Sequence, residues 1–167
     1  FANAMRKVHS EFGQDLEVCA IFAEALMNRT PWQLWDLRTG QPSEGADTLE
    51  ALEVLENAFE ALPGAWAHAG LLHMYIHLME MSSHPERALR HGDVLSNLVP
   101  DAGHLLHMST HIDVLCGDYV NVVSRNHAGI VADLKFLSRE GPDNFYSVYR
   151  CHNYHFKIYG AMFLRQP

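Results

Sequence analysis

The chain has little that would direct it to nucleic acid, to a membrane or to an oxidising compartment. Lysine and arginine total 12 against 20 aspartates and glutamates, a formal net charge of −8, and no basic run occurs in its 167 residues. Surfaces that dock on phosphates concentrate Lys and Arg on one face, so nucleic acid is not an expected partner. Every long apolar stretch is broken by His, Glu or Asp well before the roughly 20 residues that a membrane span needs, and no charged-then-apolar leader opens the sequence. Three cysteines, Cys19, Cys116 and Cys151, form no CxxC pair. Such a set fits buried thiols in a reducing compartment better than a disulfide scaffold, which gives a cytoplasmic expectation. Persistent strand-like alternation is also missing, so the expected fold is all-α.

What the chain does have is histidine, 12 of 167 residues, unevenly spread. Eight fall into three groups: His68, His73 and His77; His104, His107 and His111; His152 and His155. Two stretches, Leu71–His77 and Leu105–His111, share the pattern LLHMxxH and stand 34 residues apart. A period of that length marks a stacked helix-turn-helix array, in which equivalent positions of successive repeats come side by side. Within each pair the i, i+4 spacing puts both imidazoles on one helix face.

Helical periodicity and its breakers divide the chain. Phe1 to Phe12 and Leu16 to Asn28 read as helices separated by Gly13-Gln14-Asp15. Trp32 to Asp47 reads as an ordered loop anchored by Trp32 and Trp35. Thr48 opens a helix that Pro63-Gly64 stops, and Ala67 to Met81 is the first histidine helix. Pro85 starts a helix running to Leu98, and Ala102 to Cys116 is the second histidine helix. Helices from Gly117-Asp118-Tyr119 to about Leu137 and from Phe145 to Leu164 complete the reading. The whole is expected to be one helical domain over residues 1–167, a part of a longer repeat protein, since the first helix reads as the tail of a preceding one and no capping helix follows the last.

Gly117-Asp118-Tyr119 after an apolar helix, with Pro63 and Pro100 near repeat ends, resembles the tetratricopeptide repeat. Tyr75-Ile76-His77-Leu78-Met79-Glu80, His84-Pro85-Glu86-Arg87-Ala88-Leu89, Gly103 through Ile112 and His152-Asn153-Tyr154-His155-Phe156 further resemble a family of bacterial and fungal tetratricopeptide-like proteins with His-rich motifs and no assigned reaction. The resemblance implies antiparallel helix pairs stacked as a right-handed superhelix, with the first helix of each repeat lining a concave groove.

Imidazole is the commonest ligand for transition metals. On the first histidine helix His73, His77 and Glu80 occupy i, i+4, i+7; on the second His104, His107 and His111 occupy i, i+3, i+7, and each trio spans about 60° of its helix. The candidate ligands are therefore His73, His77, His104, His107, His111, His152 and His155, for a divalent ion such as Zn, Fe or Cu. Glu80 and Tyr75 are the candidates for proton transfer should the site be catalytic. The zinc-protease motif HExxH is absent, because Met74 follows His73 where that chemistry needs a glutamate. Asn126 and Asp133 are either partners of the ligands or, the reading preferred on spacing alone, solvated. His68 and His84 sit at helix entries where capping is expected, and His9, His91 and His127 read as surface residues. A metal-binding groove open to a small molecule is the leading functional reading. Its rivals are a groove that binds a peptide without metal, making the chain an interaction scaffold, and a pH-sensing polar cluster. The rest of a longer chain, or another subunit, is a further expected partner.

Overall fold

The structure, a computed structural model, describes residues 1–166, which form two compact units, the first of residues 1–88 and the second from residue 89 onward. Among the described residues it is built from eight α-helices: α1 (Ala2–Phe12), α2 (Leu16–Met27), α3 (Thr48–Ala61) and α4 (Ala69–Met79) in the first unit, and α5 (Leu89–Leu98), α6 (Gly103–Leu115), α7 (Tyr119–Glu140) and α8 (Ser147–Phe163) in the second. None is long and apolar enough to cross a membrane.

In the first unit α1, α2, α3 and α4 each pack on the next, and α2 also packs on α4. The Asp15 carboxylate starts α2 by accepting from the backbone N–H groups of Glu17 and Val18 at 2.9 and 3.2 Å, which satisfies two of the donors that a helix start leaves without partners. His68 starts α4 in the same manner, its Nδ1 accepting from the Leu71 N–H at 3.2 Å, as its place at a helix entry predicts. Phe22, Leu26, Leu55, Leu71, Leu72, Ile76 and Leu78 are fully or almost fully buried and form the core of this unit. At about 1.5–3 kcal/mol per large apolar side chain, they outweigh the part-exposed ion pairs of Arg6 with Glu50 and Asp47, which water screens.

The loop between α2 and α3 departs from the sequence reading in two ways. It contains a short antiparallel ladder, Trp35–Asp36 against Gln41–Pro42, too brief to leave any alternating pattern. Its anchors also differ: Trp35 is held by its indole N–H donating to the Leu78 carbonyl at 2.7 Å, whereas Trp32 is 78% exposed and anchors nothing. Trp32 has a positive φ of 57°, a conformation forced by the tight turn after Pro31.

In the second unit α5, α6, α7 and α8 again pack in sequence order, and α6 also packs on α8. Two close approaches set the spacing. A Cβ on Gly129 would stand 2.9 Å from the Gly103 carbonyl oxygen, so α6 and α7 cross backbone to backbone. A Cβ on Gly160 would stand 2.7 Å from Val122 Cγ1, so α8 lies directly against α7. Asp133, nearly fully buried on α7, ties the arrangement together. It accepts from the Tyr146 hydroxyl at 2.8 Å and from the Asn153 amide at 2.7 Å, and Tyr146 in turn accepts from the His104 N–H at 3.2 Å. Burial, and then the bond to Asp133, push the Tyr146 phenol up. Asp133 is therefore a buried tie between three helices and not the solvated side chain that spacing favours.

The thiols divide as well. Cys19 is buried, with its Sγ 3.3 Å from the Gly13 carbonyl, but Cys116 and Cys151 are exposed. Cys116 closes α6 and Cys151 lies on the outer side of α8, so neither belongs to the core. His91, expected at the surface, is buried in α5.

Candidate metal centre

The second unit brings together three of the histidines singled out by the sequence. His107 and His111 come from successive turns of α6 and His152 comes from α8, and one ring nitrogen of each lies within 4.8 Å of the other two. The His107 and His111 Nε2 atoms are 2.9 Å apart. Ring centroids are separated by 4.8 Å for His107 and His111, 4.6 Å for His107 and His152 and 5.8 Å for His111 and His152. Tetrahedral zinc with nitrogen ligands at about 2.0–2.1 Å places those nitrogens roughly 3.4 Å apart. The 2.9 Å between the His107 and His111 nitrogens lies below that spacing and the 4.8 Å bound on the trio lies above it, while His111 and His152 are only half-buried.

His107 is fully buried and polar contacts surround it. Its Nδ1 is 2.7 Å from Asn126 Oδ1 on α7. The Asn126 amide nitrogen donates to the Thr110 hydroxyl at 3.1 Å and to the Val122 carbonyl at 2.7 Å, and the Thr110 hydroxyl donates to the His107 carbonyl at 2.7 Å. Asn126 is thus a wholly buried partner of the cluster, not a solvated residue. Burial, and next the neighbouring His111, hold the His107 imidazole well below its ordinary value, at about 3, against the opposing effect of the Asn126 bond. At neutral pH the ring is uncharged, the form that binds a metal.

Phe156, one turn beyond His152, covers the cluster. Its ring centroid is 4.8 Å from His107, 4.8 Å from His111 and 4.9 Å from His152. An apolar wall at that distance excludes water from one side of the three rings and strengthens electrostatic interactions there. Phe156 lies in the HNYHF motif, where its spacing of four from His152 was the available signal; attention to titratable groups alone passes over it. Thr110 was likewise missed, because a hydroxyl inside a helix usually bonds its own backbone, as this one also does.

The other sequence candidates fall elsewhere. His104, on the same α6 face, has its ring edge-on to Tyr149 at 5.2 Å and is 6.2 Å from His107. His155 is exposed, with its ring 6.5 Å from that of His152. In the first unit the His73 and His77 rings are 4.6 Å apart, and His77 Nδ1 is 2.9 Å from Glu80 Oε1. That is the arrangement in which a carboxylate orients a ligating imidazole. Tyr75 is nearly fully buried and its hydroxyl donates to Glu56 Oε1 at 3.0 Å, while Arg87 also pairs with Glu56. Burial first, and then Glu56, push the Tyr75 phenol far up.

Comparison with protein-family models, with curated proteins and with solved structures finds no match to this chain. The geometry of the histidine cluster therefore carries the functional reading.

Proposed function

We propose that this chain is a transition-metal-binding helical-repeat protein whose second unit holds a divalent ion through His107, His111 and His152. The observation that carries the reading is the convergence of three imidazole nitrogens within 4.8 Å, one of them on a fully buried ring. Three protein ligands and one open position are the usual arrangement of a catalytic zinc. Three neutral ligands leave the ion's double positive charge uncompensated, which favours hydroxide or an anionic group at the open position and supports metalloenzyme chemistry of the water-activating kind. His73 and His77, with Glu80 behind His77, form a second imidazole pair suited to a metal. Tyr75 is assigned no proton transfer, because its hydroxyl is engaged with Glu56. Helices that pack on the next and on the next but one in both units support a tetratricopeptide-like array.

The test is elemental analysis of protein purified without added metal, followed by calorimetric titration with zinc, copper and iron(II). One ion bound per second unit, lost in His107→Ala and His152→Ala, supports the reading. Protein that binds none of the three ions overturns it.

A second reading, an interaction scaffold, draws on the first unit. A cleft of about 570 Å³ runs beside α1, α2 and α3, with Glu11, Glu50 and Glu53 among its lining residues and Phe22 and Val54 at its apolar part. A basic peptide with one apolar anchor fits that lining. Binding of such a peptide that is weakened by Glu53→Lys and insensitive to chelator would favour it.

A further inference from the structure

We propose that Asn126 is a positioning residue that locks His107 in the tautomer protonated on Nδ1, so that the Nε2 lone pair is presented to the metal. This rests on the metal-binding reading above and adds to it which nitrogen binds and what selects it.

The orientation of Asn126 follows from an atom that has no choice. The Val122 backbone carbonyl can only accept, and it is 2.7 Å from the amide nitrogen of Asn126. Reversing the amide would set two oxygens against each other at that distance, with no proton between them. The Thr110 hydroxyl agrees, since it spends its own hydrogen on the His107 carbonyl and so receives the second amide hydrogen of Asn126. With both hydrogens used, Asn126 turns its oxygen to His107 Nδ1 at 2.7 Å. An oxygen there requires a proton on Nδ1, and a neutral imidazole with a proton on Nδ1 has none on Nε2. The Nε2 lone pair then faces His111 Nε2, 2.9 Å away, and His111 supplies the hydrogen of that contact until a metal replaces it.

The chain of constraint runs from a backbone carbonyl of α7 through a buried amide to one nitrogen of a ligand, and every member is buried. An uncharged amide in this place, where metal sites often use a carboxylate, fixes the tautomer without adding negative charge to the ligand.

The tautomer can be read directly in protein freed of metal, by two-bond proton–nitrogen correlation spectra of the histidine rings at neutral pH. The expected result is a His107 ring with a protonated Nδ1 and an unprotonated Nε2. The opposite tautomer, or rapid averaging of the two, overturns the proposal even if zinc binds. In Asn126→Leu the ring should show mixed tautomers and zinc affinity should fall about 10–100-fold. Asn126→Asp, which keeps an oxygen facing Nδ1, should keep the proton on Nδ1 but lower stability in urea denaturation, because its second oxygen stands against the Val122 carbonyl where the amide donated. Thr110→Val should leave the tautomer unchanged, because Val122 alone still sets the amide. If Asn126→Leu proves too unstable, the wild-type spectrum decides. A correct tautomer in protein that binds no zinc overturns the metal reading and, with it, the ligand role given to Nε2.

Discussion

His107 and His111 face each other Nε2 to Nε2 at 2.9 Å, a distance at which both nitrogens cannot carry protons. One proton between them, or one metal ion, satisfies the pair, and His152 brings a third ring nitrogen within 4.8 Å of both.

Zinc should therefore stabilise the folded protein. At a free concentration one hundred times its dissociation constant, an ion that binds only the folded state adds about 2.7 kcal/mol, or a rise in melting temperature of roughly 5–10 °C for a chain of this size. Thermal melts with zinc, and again with chelator added, check this. The rise should vanish in His152→Ala and persist in His155→Ala, since His155 is exposed and set apart from the three rings.

Removing Phe156 should weaken both the fold and the site. The ring packs against all three imidazoles, and full truncation of a buried Phe costs about 3–5 kcal/mol; as Phe156 is half-buried, a cost nearer 1–3 kcal/mol is expected for Phe156→Ala. Urea denaturation measures the first effect and zinc titration the second. Phe156→Leu should recover most of the stability.

The depressed His107 value makes stability depend on pH with a definite sign. Between its ordinary value of 6.5 and about 3, the unfolded chain carries a proton on this ring that the folded chain does not. Stability of the metal-free protein therefore falls as pH drops through that window, by at most about 1.4 kcal/mol per unit from this group. Asp113 acts the other way. Burial, opposed by Arg125, raises its carboxyl from 3.8 to about 6, so in that range the folded state holds the extra proton and acid favours it. Comparing wild type with His107→Gln by urea denaturation from pH 7 to pH 4 cancels the shared groups. The wild-type advantage should shrink steadily towards acid, and a constant difference would contradict the assignment.

Gly160→Ala should displace α8 from α7, because the added methyl meets Val122 at 2.7 Å. Overpacking of this kind costs about 1–3 kcal/mol, and zinc affinity should fall with it as His152 moves. Val122→Ala in the same chain should restore part of both, a coupling that a double-mutant cycle on urea midpoints and zinc titrations would measure.

The helices were legible because their signals are local. The period of α6 and the aspartate ahead of α2 act within a few residues, and the observed bounds lie close to those expected from them, whereas Pro85 opens a 3-10 turn over Pro85–Ala88 and α5 begins only at Leu89. The pairing of His107 with His111 was legible for the same reason, as a consequence of i, i+4 spacing. Membership of the cluster was not. His152 belongs and His155 does not because Asn153 and Gly160 turn their side of α8 onto α7, a tertiary choice invisible to spacing. Asn126 and Asp133 looked solvated for a related cause: polar residues on a long helix are mostly exposed, and only the partners contributed by α6 and α8 make their burial tolerable. Trp32 misled in the opposite direction, an aromatic residue whose turn points it outward.

The tie between Asp133, Tyr146 and Asn153 has a bearing on assembly. His107 and His111 meet wherever α6 winds into a helix, but His152 reaches them only once this tie has seated the last helix. A cobalt ion, coloured differently by two nitrogens than by three, would thus time the docking of α8 during refolding: a first spectrum when α6 winds, a second when the carboxylate is enclosed.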